Sequence, residues 1–411
     1  MTSYYYNLSN IVGFNALVDT NGNNLNILKL NKFQCKSTNS LYNIIRYDKD
    51  VLNMDIIPTY GLCRSVILNN KNQVVSFAPP KSLYADTFMK QYNEMNDTIE
   101  AQEFVEGTMI NVFFDESIGE VGSWEIATRS NVGANNIFFK SDNAKSFRKL
   151  FMEAANECNL DINCLDRKLC YSFVLQHPEN RIVIPFKTPQ LYLVAVYYIL
   201  NEPNNVRIEF RDVYNYKQYF QEIGSTVKFP EIYREKDYTA LINKYGSMNT
   251  SYDIQGVMLY NKETGERSKI RNPVYEQVKH LRGNQPKLQY QYLCLRREGK
   301  VKDYLKYYPE HKKEFSKFRD QVHLFTNTLY SNYKSCYIQK EKPLKQFPKQ
   351  YSSNMYYLHQ HYMDNLRENK LYINNTIVQN YVNNLHPSVL MYCLNYDMRK
   401  HTIDTIVSDN S

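Results

Sequence analysis

The sequence predicts an α+β protein in two parts: strands with a few helices up to residue 274, then a small all-helical region over residues 275–411. Three observations carry that reading. Before residue 274, β-branched and aromatic residues gather in short runs separated by Asn, Gly and Pro. After Asn272-Pro273, apolar residues recur at helical spacing and the segments break at prolines. Charge divides at the same place: residues 275–411 hold 21 Lys and Arg against 12 Asp and Glu, a net +9, whereas residues 1–274 hold 29 against 30, a net −1.

Taken in order, residues 1–60 mix apolar runs with turns such as Thr20-Asn21-Gly22-Asn23-Asn24 and predict strands with one short helix. Residues 62–68 and 73–78 flank an Asn-Asn-Lys-Asn turn and predict a hairpin, stopped by Pro79-Pro80 because proline cannot donate to a ladder. Residues 102–115 form a β-rich run interrupted by Glu106-Gly107, where a residue without Cβ lets the backbone bend or a ligand come close. Residues 124–128 supply its hairpin partner. Asn143 is expected to cap a helix through residue 157, with Phe147, Leu150, Phe151, Ala154 and Ala155 on one face. Strands follow at 169–175, 181–184 and 191–200, then a helix over 235–245 closed by a left-handed Gly246, and a last hairpin of 254–260 with 268–271. Helices are expected at 274–281, 301–308, 312–330, 355–368 and 378–385, broken at Pro309, Pro343, Pro348 and Pro387.

Composition narrows the function classes. With 43% hydrophobic and 22% charged residues the chain reads as globular, and no run reaches the roughly 18 apolar residues of a membrane span. The N-terminal Met1-Thr2-Ser3-Tyr4-Tyr5-Tyr6 has no basic-then-apolar pattern, so a cytoplasmic location is expected. Cys158, Cys164 and Cys170 are evenly spaced, but with five residues between them they match neither zinc pairs nor a disulfide framework, and no metal site is expected. The 37 tyrosines, beside many Asn and Lys, fit codon usage in an AT-rich genome. The C-terminal charge suits either a polyanion-facing module or a solvated basic surface.

Read together, these motifs resemble the polynucleotide ligases, and specifically the phage-type RNA ligase family of the covalent nucleotidyltransferase superfamily. The similarity spans roughly residues 55–280 and lies in the order of its parts. Arg64-Ser65 and Pro79-Pro80-Lys81-Ser82-Leu83 resemble the segment before the family's nucleotide site, and Phe104-Val105-Glu106-Gly107 its Lys-x-Asp/Glu-Gly signature. Residues 124–133 fall where the next strand and loop cover the nucleotide. Pro178-Glu179-Asn180-Arg181-Ile182-Val183 is similar to the Asn-Arg-Ile-Val strand, and Ile254-Gln255-Gly256-Val257 and Lys269-Ile270-Arg271 occupy the last two motifs. The resemblance implies an ATP-grasp-like ligase domain of two antiparallel sheets over residues 1–274, with a cleft lined by Glu106, Arg129, Lys269 and Arg271, which would bind nucleotide. It also implies a basic helical C-terminal domain that contacts RNA.

The departures decide what chemistry is expected. These ligases attach AMP to the motif lysine, a step that needs an amine with a lowered pKa beside nucleotide and metal. Phe104 stands there, with no nucleophilic atom, and reads as a core phenylalanine filling the vacated space. Ser172 and Gln255 stand where the family carries carboxylates, and neutral oxygens are poor ligands for Mg²⁺. ATP and Mg²⁺ are therefore not expected to support adenylation. The first reading is a ligase-derived pseudoenzyme that binds RNA or a protein partner. The second is an active ATP-dependent ligase with a relocated nucleophile such as Lys81. A third is a structural protein of a large DNA virus, located in the host cytoplasm or the virion.

Overall fold

In the computed structural model the described residues are 4–20, 27–36, 38–138 and 144–399. Asn21 to Asn24 of the expected turn and the expected Asn143 cap lie outside them. The chain divides into two compact units, Met1–Lys279 and His280–Ser411.

The first unit is α+β, and its strands pair antiparallel. They form three sheets rather than two, because the N-terminal strands build a sheet of their own: Leu28–Gln34, Leu41–Tyr47, Val66–Leu68 and Val74–Phe77. A seven-stranded sheet runs Tyr5–Asn7, Asn205–Arg211, Gln190–Glu202, Leu169–Gln176, Thr108–Asp115, Ser123–Thr128, Asn131–Val132. The remaining four-stranded sheet runs Ile232–Tyr233, Ile99–Glu103, Gly256–Asn261, Arg267–Arg271.

Alternation along the central strands explains how the sheets stack. In Leu169–Gln176 every residue is buried: Tyr171, Phe173 and Leu175 join a core with the helix Phe147–Glu157, while Cys170 faces the N-terminal sheet with Phe77 and Tyr197. Phe173 meets Phe151 and Phe220 edge-on, with ring centroids 6.0 and 6.5 Å apart. Each such buried ring stabilises the fold by roughly 1.5–3 kcal/mol relative to exposure.

The run over residues 102–115 is not one strand. Ile99–Glu103 belongs to one sheet and Thr108–Asp115 to another, so the chain changes sheets across residues 104–107. Gly107 permits that crossing at φ +150°, and a Cβ there would lie 2.4 Å from the Leu175 carbonyl oxygen.

Local readings are corrected at several points. The helix Phe147–Glu157 is capped by Ser146, whose Oγ accepts from the Lys149 N–H. Residues 181–184 do not form a strand, since the Val183 and Ile184 N–H groups bond a side chain instead. Gly246 ends the helix Tyr238–Tyr245 at φ −133°, not in the left-handed region. The second unit is helical: Leu288–Arg297, Val301–Tyr307, Lys312–Tyr333, Lys349–His361, Asn375–Asn384 and Pro387–Leu394. Pro387 starts the last of these, because its missing N–H costs nothing in a first helical turn.

Candidate anion-binding site

Several segments of the first unit bring a group of cations together. Within the strand Arg267–Arg271, side chains two apart share a face, which aligns Arg267, Lys269 and Arg271. Beside it lies Pro79-Pro80-Lys81-Ser82-Leu83, tied on by the Leu83 N–H to the Arg267 carbonyl (2.8 Å) and by Ser268 Oγ to the Leu83 carbonyl (2.9 Å). The two prolines offer carbonyls without donating, and the buried Arg267 guanidinium uses both, with Nε 2.8 Å from Pro80 O and Nη2 3.2 Å from Pro79 O. Arg64 reaches the same Pro79 carbonyl. Arg129, just beyond the strand Ser123–Thr128, donates from Nε to the Arg64 carbonyl (3.4 Å) and lies 5.2 Å from the Tyr47 ring centroid.

The electrostatics follow from this crowding. Burial pushes the half-buried Lys269 ammonium down from 10.5 to about 7, and Arg271, Arg267, Arg64 and Lys81 add to the effect. Lys81 is lowered by burial and then by Arg64, Arg271, Arg267 and Arg129. Arg64 is pulled down by burial and by Arg267, and Arg46 by burial and Arg129. Seven cations thus act on one another. Arg271 has an acidic partner, its Nη1 lying 2.6 Å from Glu276 Oε1. Among the described residues, Arg46 Nε, Ser65 Oγ and Gln255 Oε1 are buried with no hydrogen-bond partner. Lys81 and Arg267 also border a pocket of about 230 Å³. Such an arrangement favours a bound polyanion, which would relieve the repulsion and raise the Lys269 pKa again.

Phe104 sits at this group and not in the core. It is half-buried, its N–H donates to the Gly256 carbonyl (3.3 Å), and Lys269 Nζ lies 5.4 Å from its ring centroid. A ring exposed on one side and faced by an amine replaces the expected filled interior.

Lys81, Arg129, Lys269 and Arg271 therefore lie in one group of cations, while Glu106 is engaged elsewhere. Its buried carboxylate accepts from the Val183 and Ile184 N–H groups at 3.0 Å, and burial pushes its pKa up against those bonds, one from Tyr275 and the field of Lys279. Glu106 anchors the chain after the short helix Pro178–Asn180. Ser172 is fully buried and donates to Asn111 Oδ1 (2.8 Å) across paired strands. Arg267 and Arg46 were missed in the sequence, and Arg64 was placed only in the segment before the nucleotide site; the two-residue period that links Lys269 to Arg271 extends equally to Arg267.

A set of metal-ligating side chains among the described residues comprises Glu153, His177 and Glu179. The Lys145 ammonium already lies 2.8 Å from Glu153 and 2.5 Å from Glu179, which offsets one of the two carboxylate charges of the set.

No protein-family model matches the chain. An RNA ligase of Rhodothermus phage RM378 is 23% identical over 207 residues, covering 44% of this chain and 45% of that protein, so the chain spans less than half of its relative. Among solved structures, variants of a Naegleria gruberi RNA ligase are similar at TM-scores of 0.32 to 0.36. One with ATP and Mn is 11% identical (0.35; 50% of this chain and 56% of that one), and one without ligand is 12% identical (0.36; 61% and 76%). Through the stretch it shares with the phage protein, the chain is RNA ligase-like.

Proposed function

We propose that the protein derives from an RNA ligase, no longer self-adenylates, and uses the cations around Lys269 to hold the phosphates of RNA. The observation that carries this reading is Lys269 over the Phe104 ring inside a group of seven cations, and the order of motifs, which sets Phe104 at the family's lysine position, supports it. A polyphosphate such as ATP suits the same site. Mg²⁺ does not: Ser172 and Gln255 are neutral, and Glu106 is committed to backbone N–H groups. In this reading residues 1–274 are the ligase-like domain and the basic residues 275–411 add RNA contacts. The test is filter binding of 5′-phosphorylated RNA. Lys81→Met together with Lys269→Met should weaken it at least tenfold at constant salt, and unchanged binding would overturn the reading.

A second reading, an active ligase with a relocated nucleophile, has one observation in its favour. Lys269, pushed down to about 7, is partly neutral near that pH, and its Nζ lies 5.4 Å from the Phe104 ring centroid. The adduct in that case forms on Lys269.

A further inference from the structure

The second unit contains a feature that the cation site does not explain. Four rings form a nearly parallel series: Tyr337 on His359 (centroids 3.8 Å, interplanar angle 11°), His359 on Tyr362 (5.8 Å, 26°) and Tyr362 on Tyr372 (6.5 Å, 19°). The inner end is fixed. Tyr333 is buried, its hydroxyl lies 3.4 Å from His359 Nδ1, and its ring is 5.2 Å from that of Tyr337. The outer end is open, with Tyr372 69% exposed.

Backbone distortion is concentrated at the same rings. Tyr337 lies in the π-helical turn Lys334–Ile338 that ends one helix, and Tyr362 opens the π-helical turn Tyr362–Leu366 that ends another. Each turn departs from regular helix where it delivers a ring to the series, and such turns recur at functional sites. The spacing widens outward, from 3.8 to 6.5 Å.

The charge around the series is positive. Lys334, Lys340, Lys342, Arg367 and Lys370 flank it in sequence against Glu341, Asp364 and Glu368, and Glu341 already accepts from Ser335 Oγ at 2.7 Å. Over His280–Ser411 there are 20 Lys and Arg against 11 Asp and Glu. Aromatic faces between cations suit unpaired nucleotides, whose bases stack while their phosphates meet the lysines. A protein partner or a lipid surface would use the apolar edges but gains nothing from the nearly parallel faces of the series.

We propose that Tyr362 and Tyr372 form a stacking platform for an unpaired base of single-stranded RNA, with Tyr337 and His359 as its rigid backing. This rests on the reading that the protein engages RNA, and the experiment separates the two. Fluorescence anisotropy of a short single-stranded RNA, and quenching of a 2-aminopurine placed in it, are measured for the full chain and for Tyr372→Ala, Tyr372→Phe and Tyr392→Ala. Tyr392 is an exposed tyrosine of the same unit outside the series. Tyr372→Ala should weaken binding about tenfold and remove the quenching. Tyr372→Phe, which keeps the ring, and Tyr392→Ala should both behave as the unaltered protein. Binding and quenching that survive Tyr372→Ala would overturn the platform and leave RNA binding standing. Equal loss in Tyr372→Phe would also overturn it, because a hydroxyl contact rather than stacking would then be responsible. No RNA binding by the unaltered protein would overturn both readings.

Discussion

Lys269 makes anion binding depend on pH in a way that can be worked out beforehand. In the free protein its ammonium is held near 7 by burial and four neighbouring cations. Above that pH it is mostly neutral, whereas a bound polyphosphate stabilises the charged form, so binding takes up a proton. Well above pH 7 each further unit then adds about 1.4 kcal/mol to the cost of binding, a tenfold loss of affinity per unit. Between pH 7 and 9 the affinity should fall about fiftyfold, or about 2.3 kcal/mol, because the free amine is already half neutral at pH 7, for as long as the bound-state pKa stays above the working pH. Calorimetry with ATP from pH 7.5 to 9, without divalent ions and at fixed ionic strength, measures this; buffers of different ionisation enthalpy report the proton. Lys269→Met should bind more weakly at pH 7.5 and lose most of the slope, while Lys81→Met should keep it. A flat profile, or the same slope in Lys269→Met, would refute the reasoning.

The same shift acts on stability with a defined sign. Because the unfolded chain holds a proton that folded Lys269 has shed, stability without ligand should rise with pH between about 7 and 10.5, a trend that Lys269→Met reduces in urea titrations. Glu106→Ala should destabilise the fold by about 2 kcal/mol or more by leaving the Val183 and Ile184 N–H groups unpaired; a change below 0.5 kcal/mol would show that the anchor is not needed. Gly107→Ala should cost at least about 2 kcal/mol, since its Cβ would meet the Leu175 carbonyl at a φ that L-residues avoid, and a neutral effect in denaturant unfolding would contradict that packing. RNA affinity should fall linearly with salt on logarithmic axes, and binding indifferent to salt would point to a protein partner.

Much of the first unit was legible because its strands follow period two and its turns carry Asn, Gly or Pro. The paired strands 108–115 and 123–128, the Pro79-Pro80 stop and the buried face of the helix Phe147–Glu157 all followed from local chemistry. Errors arose where a distant side chain replaced a local partner. Residues 181–184 have a strand-like composition, yet their N–H groups bond Glu106, some 77 residues away in sequence. The change of sheet at Gly107 was likewise hidden, because a glycine in a β-rich run signals a bend without saying where the next strand pairs. The helices Leu288–Arg297 and Pro387–Leu394 were missed; in the second, proline was read as a breaker. The order of motifs singled out Lys81, Arg129, Lys269 and Arg271, which the fold places in one group of cations. Arg267 escaped notice because its guanidinium reads as ordinary surface charge until the proline carbonyls it bonds are seen.

The central claim, that an anion-binding ligase site has lost its covalent chemistry, is tested most directly by incubating the protein with α-phosphate-labelled ATP and Mg²⁺ or Mn²⁺. The mixture is then divided between a native filter and a denaturing gel. Label retained on the filter and absent from the gel is the expected result, both for the unaltered protein and for Phe104→Lys, whose amine would lack the carboxylates that organise metal and ribose. An acid-labile AMP adduct on the unaltered protein, lost in Lys269→Met or Lys81→Ala and kept in Lys90→Ala, would contradict the claim and identify a working enzyme with a displaced nucleophile.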